Sequence, residues 1–326
     1  MTPRCLRLLP ALLTATVMLP PSLSAQRVLV PDTDQQLQLF DLRDLIRDGS
    51  PGVELMLKGD RSPFDATASE RAARMLRQFV DPPLRKGDDL TAIGEHRIAV
   101  FADAERIASV ERILTAAKKH QKDLLTIEVQ LLDVPAGKFR KYLREHLTKV
   151  EAKGDGASTF QSVFGKEAAK LFLATCDKID GAGKLAAPLV SVLPLQQAEV
   201  SVVNQTSYVK DFTVQRSDAN EVVADPVVDV VWSGHRAEVC ATFLPHGRIG
   251  LSCDLRFQEL QRPIPEVKVN VLEGALPVTI QIPRTSGVRL ANVAEVTPGS
   301  VVALAAQRLD GNFLVALIQA NAVGNR

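Results

Sequence analysis

Two cysteines and two histidines stand close together in one stretch of the chain and could do chemistry. The stretch EVCATFLPHGRIGLSCDL holds Cys240, His246 and Cys253, and His235 lies just before it. Cysteine and histidine are the usual ligands of zinc, and each ligand atom must lie about 2.0–2.3 Å from the ion. In an exported protein the same two cysteines could form a disulfide instead.

The spacing of these residues argues against zinc. Residues 245–248, Pro-His-Gly-Arg, are typical of a turn between two strand-like runs, which places His246 at the tip of a hairpin. At the usual rise of a strand, His246 then lies about 20 Å from Cys240, too far for both to bind one ion. We therefore predict no metal site here.

The same hairpin predicts where the cysteines meet. A turn centred between residues 246 and 247 puts Cys240 opposite Cys253 at a non-hydrogen-bonded position, where Cα atoms are about 4.5 Å apart. That separation allows a disulfide with small adjustments. The alternative is two neighbouring buried thiols, because a bulge in either strand would shift the register. We expect Cys176, by contrast, to be a small core residue on a helix.

No other motif predicts a catalytic or cofactor-binding residue. Residues 180–184, Asp-Gly-Ala-Gly-Lys, resemble part of a phosphate-binding loop, but Lys178 stands where that loop needs its first glycine and a strand-like run follows. None of the five histidines lies in a nucleophile elbow or a zinc-protease motif. We therefore predict that the protein is not an enzyme and has no cofactor, with a hydrolase that lacks a recognisable motif as an alternative.

Composition and the N-terminus limit the class of protein. Lysine and arginine number 39 against 38 acidic residues, so no basic field exists to attract nucleic acid. Residues 1–25 read as a signal peptide, with Arg4 and Arg7, an apolar stretch over 8–19 and small residues up to Ala25. The alternative is a membrane anchor, but a spanning helix needs about 20 apolar residues. We expect export to the periplasm or outer membrane of a Gram-negative-type bacterium.

Hydrophobic periodicity predicts an α+β chain. Residues 26–123 read as a small module of two helices and three strands, with helices over 66–80 and from Asp103, which can cap the second. Residues 124–186 read as a strand over 123–134, a helix over 135–150, a flexible connection over 151–166 and a helix over 166–179. From residue 187 to 326 the period becomes two, which predicts a mainly antiparallel β domain of ten short strands. These strand-like runs lie at 188–193, 198–203, 207–216, 221–231, 236–244, 249–259, 276–283, 288–296, 300–308 and 313–321.

Several segments in this order resemble the secretin family of type II and type III secretion systems and type IV pili. They are LLTIEVQLLDVPAGKFRKYL, AAPLVSVLPLQQAEVSVVNQTSYVKDFTV, ADPVVDVVWSGHRAEVCATFLPHGRIGLSCDLRF and AEVTPGSVVALAAQ. The upstream runs FDLRDLI and IAVFADAERIASVERIL resemble the ring-building modules that precede the secretin domain. The resemblance implies a non-enzymatic homo-oligomer of an envelope protein-transport assembly, with other secretion-system or envelope proteins as partners and possible contact with the outer membrane.

The chain departs from the family pattern near its C-terminus. Pro194 and Leu195 replace the expected Asn-Gly turn, Ala305 and Ala306 stand near the expected glycine pair, and residues 308–312 close the gap where the family carries its gate insert. The runs on either side of Asp310-Gly311 are apolar without alternation, so we predict a strand pair buried on both faces rather than a membrane-crossing hairpin. A ring-forming secretin-like protein without a gate is the first hypothesis, and a periplasmic binding or scaffolding protein that keeps the fold without a channel is the alternative.

Overall fold

The computed structural model describes residues 27–29, 34–46, 67–151, 158–216, 222–270 and 277–323. The predicted signal peptide, residues 1–25, lies outside these ranges. Among the described residues, no helix has the length and apolar character needed to cross a bilayer.

The described residues form four α-helices and seventeen strands, with most pairing antiparallel. The helices are α1 (Ala68–Phe79), α2 (Ala104–Lys119), α3 (Ala136–Tyr142) and α4 (Lys166–Asp177). The strands are β1 (Arg27–Leu29), β2 (Gln35–Asp41), β3 (Asp89–Ile93), β4 (Arg97–Asp103), β5 (Leu124–Val134), β6 (Thr148–Glu151), β7 (Ser158–Phe164), β8 (Gly183–Ala186), β9 (Leu189–Val192), β10 (Gln197–Arg216), β11 (Val222–Phe243), β12 (Ile249–Leu260), β13 (Glu266–Val269), β14 (Val278–Gln281), β15 (Thr285–Val296), β16 (Val301–Gln307) and β17 (Phe313–Val323). The α+β fold class predicted from the sequence is confirmed at this level.

The N-terminal region packs α1 and α2 on a sheet of order β1-β2-β4-β3. The helix α2 begins where the sequence predicts, since the Asp103 carboxylate accepts a hydrogen bond from the backbone N–H of Arg106 at 2.9 Å. The helix α1 begins at Ala68 rather than at residue 66, after a capping box between Thr67 and Glu70. The sheet has four strands rather than the predicted three, because β1 pairs with β2.

A second sheet has the order β10-β11-β12-β15 and contains the two longest strands of the chain. β10 has 20 residues and β11 has 22. The sequence predicts four shorter strands over the same residues. That prediction is wrong, because the polar residues around Asn204 and Gly234 continue the ladder instead of turning the chain.

The third sheet has seven strands, with β16 and β17 at its centre between β7 and β5. Residues 301–306 and 313–318 are all buried, so the predicted burial of this hairpin on both faces is confirmed. A tight turn at Asp310-Gly311 joins the strands, with Gly311 at φ +91°. The strand β17 pairs with β5 along its whole length, so this sheet joins residues from both sides of position 187, the predicted start of the β domain. The domain boundaries stay a prediction.

Two predicted segments between β5 and α4 differ from the structure. The predicted helix over 135–150 ends at Tyr142, and residues 148–151 form β6. The predicted flexible connection over 151–166 contains β7, which pairs with β6 and β16. Residues 152–157 lie outside the described ranges. The edge strands extend the sheet because Phe160 can pack on the rings of Phe139 and Phe313.

Three apolar cores hold these layers together. One lies between the N-terminal sheet and its helices and reaches Cys240 and Leu244 of the second sheet. The next lies between the second and third sheets, and the last packs α3 and α4 on the outer face of the third sheet. One face of the second sheet therefore packs toward the N-terminal helices and the other toward β16 and β17.

The contact between α1 and the second sheet needs a glycine. A Cβ atom at Gly250 would lie 2.8 Å from the ring of Phe79, which occupies that space. Gly250 therefore lets α1 approach β12 closely and fixes the position of the helix over the sheet.

Candidate functional site

The outer parts of β10 and β11 form a two-stranded ribbon that extends past the rest of the second sheet. The last pair between β11 and β12 joins Gly234 and Gln258, and beyond it β11 pairs with β10 alone. We define the ribbon as residues 204–216 and 222–233. At the usual rise per residue it is about 40 Å long.

One face of the ribbon is mainly apolar. The register places alternate residues of both strands on this face, with one bulge between Val209 and Asp211 that keeps the pattern in phase. Val228 is 58% exposed and Val230 is 43% exposed. We call this set of side chains the apolar stripe. It consists of Val209, Phe212, Val214, Ala224, Pro226, Val228, Val230 and Trp232.

The opposite face of the ribbon is mixed and partly covered. The hairpin of β13 and β14 lies beside β10 here, where Arg262 donates a hydrogen bond to the Thr206 hydroxyl at 2.9 Å and Gln281 Oε1 accepts one from the N–H of Val209 at 3.1 Å. Val223 and Val227 on this face are 45% and 39% exposed. Both faces of the ribbon are therefore partly exposed, and they differ in composition, since aliphatic and aromatic side chains are concentrated in the apolar stripe.

Gly234 marks the junction between the ribbon and the rest of the sheet. Its φ of +133° is one that other residues rarely adopt, and a Cβ atom there would lie 2.2 Å from the Val202 carbonyl oxygen. A glycine is therefore required at the point where β10 and β11 extend past the rest of the second sheet.

Next to this junction, the second sheet carries two adjacent rows of charge on the face toward α1. The strand registers place three carboxylates side by side on β10, β11 and β12. Two residues away along β11 and β12, they place three guanidinium groups side by side on β11, β12 and β15. The acidic row consists of Glu199, Glu238 and Asp254. The arginine row consists of Arg236, Arg256 and Arg289.

The two rows are linked by ion pairs. The Nε and NH2 groups of Arg289 donate to the Asp254 carboxylate at 3.0 and 2.6 Å, and Arg236 pairs with Glu199. Gln197 donates a hydrogen bond to Glu238 Oε2 at 3.1 Å. The other oxygen of Glu238, Oε1, has no hydrogen-bond partner among the described residues, although the side chain is buried.

Burial raises the pKa of Glu238 to about 7. The neighbouring Asp254 carboxylate acts in the same direction, and Arg236 and Arg256 oppose the shift without cancelling it. The Glu238 carboxyl therefore gains or loses its proton near neutral pH.

A cleft of about 510 Å³ separates α1 from these rows. Arg71 and Arg74 of α1 line one wall, and Glu238 and Asp254 line the other. A cleft with an acid that titrates near neutral pH is what the hydrolase alternative requires. The cleft is also lined by Ser252 and by Cys240, and burial raises the pKa of the Cys240 thiol to about 12. This thiol stays protonated, which makes it a poor nucleophile.

The predicted disulfide between Cys240 and Cys253 is absent, since both are free thiols. The hairpin register pairs Cys240 with Ser252 and Cys253 with Val239, one residue away from the predicted register. Because neighbouring positions on a strand face opposite ways, Cys240 faces Met75 of α1 while Cys253 faces the core toward the third sheet. The prediction is therefore wrong. Cys176 is buried on α4, as predicted.

The two histidines of the rejected zinc cluster do not converge with the cysteines. His246 is exposed at the tip of the hairpin, with φ +63°, while Cys240 is buried. His235 is partly buried on β11, and burial lowers its pKa. In the ranges that the structure describes, no group of three or more His, Cys, Asp or Glu residues could hold a metal ion.

Sequence reasoning missed both the charge rows and the apolar stripe. The members of each charge row are separated by tens of residues in the sequence or by a hairpin, and only the strand register brings them together. The stripe had a local signal, because Val228, Val230 and Trp232 alternate with other residues. That signal predicts a strand over 221–231 but does not predict which of its faces stays exposed.

No family model matches the chain, and no curated protein sequence matches it. Solved structures of secretins are similar to it. The type III secretion injectisome secretin InvG of Salmonella is 12% identical with a TM-score of 0.31, over 90% of this chain and 88% of that one. In the Salmonella basal body structure with PrgH and PrgK, the chain covers only 62% of InvG. The type IV competence pilus secretin PilQ of V. cholerae is 10% identical with a TM-score of 0.27, over 89% and 78% of the two chains. Since each TM-score lies below 0.5, this likeness alone does not assign a function.

Proposed function

We propose that this protein is a non-enzymatic, secretin-like component of a bacterial envelope protein-transport assembly of the type II or type III secretion or pilus kind. Many copies form a ring, in which the N-terminal α+β modules lie side by side. The proposal rests on the order of the secretin-like segments in the sequence and on the ribbon.

The apolar stripe is the observation that carries this proposal. Exposure of valine, phenylalanine and tryptophan side chains to water along a projecting ribbon is unfavourable in free energy. Exposed apolar patches of this kind usually mark a protein or membrane contact. In the core between the second and third sheets, valine and phenylalanine side chains such as Val239 and Phe243 are buried. The stripe therefore supports a protein that works in an assembly at a membrane, as the sequence resemblance implies.

The location and partners follow from the same proposal. The protein is exported by the signal peptide of residues 1–25 and resides in the periplasm or at the outer membrane. Its partners are further copies of itself and other envelope proteins. Nucleic acid is not a partner, because the charges of the chain balance.

A second candidate is a periplasmic binding or scaffolding protein that keeps the fold without a channel. The cleft between α1 and the charge rows favours it, since opposed Arg71 and Glu238 walls can hold a ligand that carries both charges. Under this alternative the protein is soluble after carbonate extraction of membranes.

The first experiment compares membrane association of two matched double variants. Val228→Ser with Val230→Ser removes the apolar stripe at its exposed part, and Val223→Ser with Val227→Ser makes the same change on the opposite face of the ribbon. We expect the first pair of substitutions to move the full chain from the carbonate-resistant membrane fraction to the soluble fraction. The second pair should leave the chain in the membrane fraction. A wild-type protein found only in the soluble fraction would contradict the proposal and favour the scaffold.

A further inference from the structure

The cleft between α1 and the second sheet is lined by an acidic and a basic group that can each take a further partner. On the sheet side, Glu238 is only 7% exposed, and its Oε1 has no hydrogen-bond partner among the described residues. The Nε of Arg236 lies 3.9 Å from Oε1, which is beyond hydrogen-bonding distance. On the helix side, the exposed Arg74 guanidinium has no ion pair within the described ranges, whereas Arg71 already has an interaction.

The other two carboxylates of the acidic row are already occupied. The Asp254 carboxylate accepts hydrogen bonds from Arg289 at 3.0 and 2.6 Å, and Glu199 pairs with Arg236. A buried polar atom without a hydrogen-bond partner is unfavourable in free energy. A ligand that brings a cationic donor to Oε1 of Glu238 would remove this cost.

We infer that the cleft binds a short peptide with free ends, whose ammonium group donates to Glu238 Oε1 and whose carboxylate meets Arg74. Pockets that hold small molecules have volumes of roughly 300–1,000 Å³, and the cleft, at about 510 Å³, lies in this range. That volume suits a dipeptide or tripeptide. This inference rests on the second candidate function, the binding protein, and does not need the ring.

The remaining lining of the cleft fits a peptide. Gln78 and Ser252 carry groups that can hydrogen-bond to a peptide group. Ala291 and Val293, two positions apart on the same face of β15, can contact an apolar side chain, and Val293 is 40% exposed. A simple anion would meet Arg74 but would leave Glu238 Oε1 without a donor.

Calorimetric titration of the purified full chain at pH 7 with three related peptides tests both ends of the ligand. Alanyl-leucine has both charges, N-acetyl-alanyl-leucine lacks the ammonium group, and alanyl-leucine amide lacks the carboxylate. We expect alanyl-leucine to bind and each blocked peptide to bind about 10- to 100-fold more weakly, because each loses one charged hydrogen bond.

Three variants identify which residue reads which end. Glu238→Gln should weaken alanyl-leucine by a similar factor and leave the acetylated peptide unchanged, and Arg74→Gln should do the same for the amide. Arg77→Gln, on the same helix, is the matched control and should bind as the wild type does, because Arg77 pairs with Asp89 at 3.0 Å and does not line the cleft. Thermal unfolding checks that each variant is folded.

The pH dependence gives a separate readout. The ammonium group of the peptide, with a pKa of about 8, stays charged between pH 5.5 and 7, whereas Glu238, with a pKa of about 7, takes up a proton. Binding of alanyl-leucine should therefore weaken roughly tenfold from pH 7 to pH 5.5 in the wild type, and not in Glu238→Gln. The charged groups that face Glu238 are Glu199, Arg236, Asp254 and Arg256 on its own sheet and Arg71 and Arg74 across the cleft.

Three results would overturn the inference. They are no binding of alanyl-leucine, equally tight binding of a blocked peptide, and equal weakening of all three peptides by Glu238→Gln. The second result would leave a binding protein with a different ligand. Each of them leaves the proposed ring standing, because electron micrographs and membrane fractionation test the ring and not the cleft.

Discussion

The hairpin of β16 and β17 and the ribbon of β10 and β11 are both rich in valine, yet their surroundings are opposite. Residues 301–306 and 313–318 are all buried between two layers, whereas Val228 on the ribbon is 58% exposed. The sequence shows the reason. The buried hairpin has continuous apolar runs, as strands covered on both faces do, whereas charged residues such as Lys210, Asp225 and Asp229 interrupt the apolar residues of the ribbon. One hairpin therefore holds the body together, and the other presents a surface.

This comparison corrects where an assembly surface should be sought. From the sequence, the apolar residues around Asp310-Gly311 raise the question of a membrane hairpin. In the structure these residues are the centre of the third sheet. The projecting element is instead the ribbon, residues 204–216 and 222–233, whose polar residues make it look like several short strands joined by turns.

The largest expected effect comes from removing core volume in the buried hairpin. Leu304→Ala, at a residue only 3% exposed in the core between the second and third sheets, should lower the free energy of unfolding by about 2–5 kcal/mol. Val228→Ala on the ribbon is the matched control and should change it by less than about 0.5 kcal/mol. Urea unfolding followed by circular dichroism measures both. Equal losses would mean that the ribbon is also part of a packed core.

An intermediate effect is expected at the junction that joins the two regions. Gly234→Ala places a methyl group against the Val202 carbonyl oxygen at an unfavourable φ, so it should cost roughly 1–3 kcal/mol. Gly137 on α3 has no atom within 4 Å of an added Cβ, so Gly137→Ala is the control and should be neutral or slightly stabilising. If Gly234→Ala and Gly137→Ala both unfold at the temperature of the wild type, the backbone conformation described for the junction is wrong.

The smallest effect is expected at the charge rows and depends on pH. The pKa of Glu238 is raised from 4.5 to about 7 by burial, so the folded chain keeps a proton that the unfolded chain loses. Stability conferred by this proton is lost as the pH rises from about 4.5 to 7. Glu238→Gln stays neutral at every pH and keeps an oxygen for the Gln197 hydrogen bond. It should be about 1–2 kcal/mol more stable than the wild type at pH 8 and nearly equal at pH 4.5.

Chemical unfolding of both proteins at the two pH values measures this difference. The pKa of about 7 already includes the opposing effect of Arg236 and Arg256, and solvent screening makes the expected gain smaller than this net shift alone would give. A variant that is less stable than the wild type at pH 8 would show that the ionised Glu238 is paired and favourable.

Local patterns predicted the elements that have strong periodicity or a clear cap. The helix α1, the Asp103 cap of α2, strand β5 and the burial of the C-terminal hairpin are in this group. Their signals come from residues close together in the sequence, such as the spacing of Ala72, Met75 and Leu76.

The features that decide the candidate site depend on register, which local patterns do not determine. The turn at residues 245–247 is a short 3-10 turn with His246 at positive φ, and it shifts the hairpin by one residue from the predicted register. That single shift separates Cys240 from Cys253. The same registers align Glu199, Glu238 and Asp254, and no sequence spacing reveals that alignment.

The central claim is that many copies of this chain assemble into a ring. Electron micrographs of the purified full chain in mild detergent test it most directly. The account predicts ring-shaped particles with one rotational symmetry that persist on dilution. A protein that stays strictly monomeric at high concentration, with and without detergent, would contradict it.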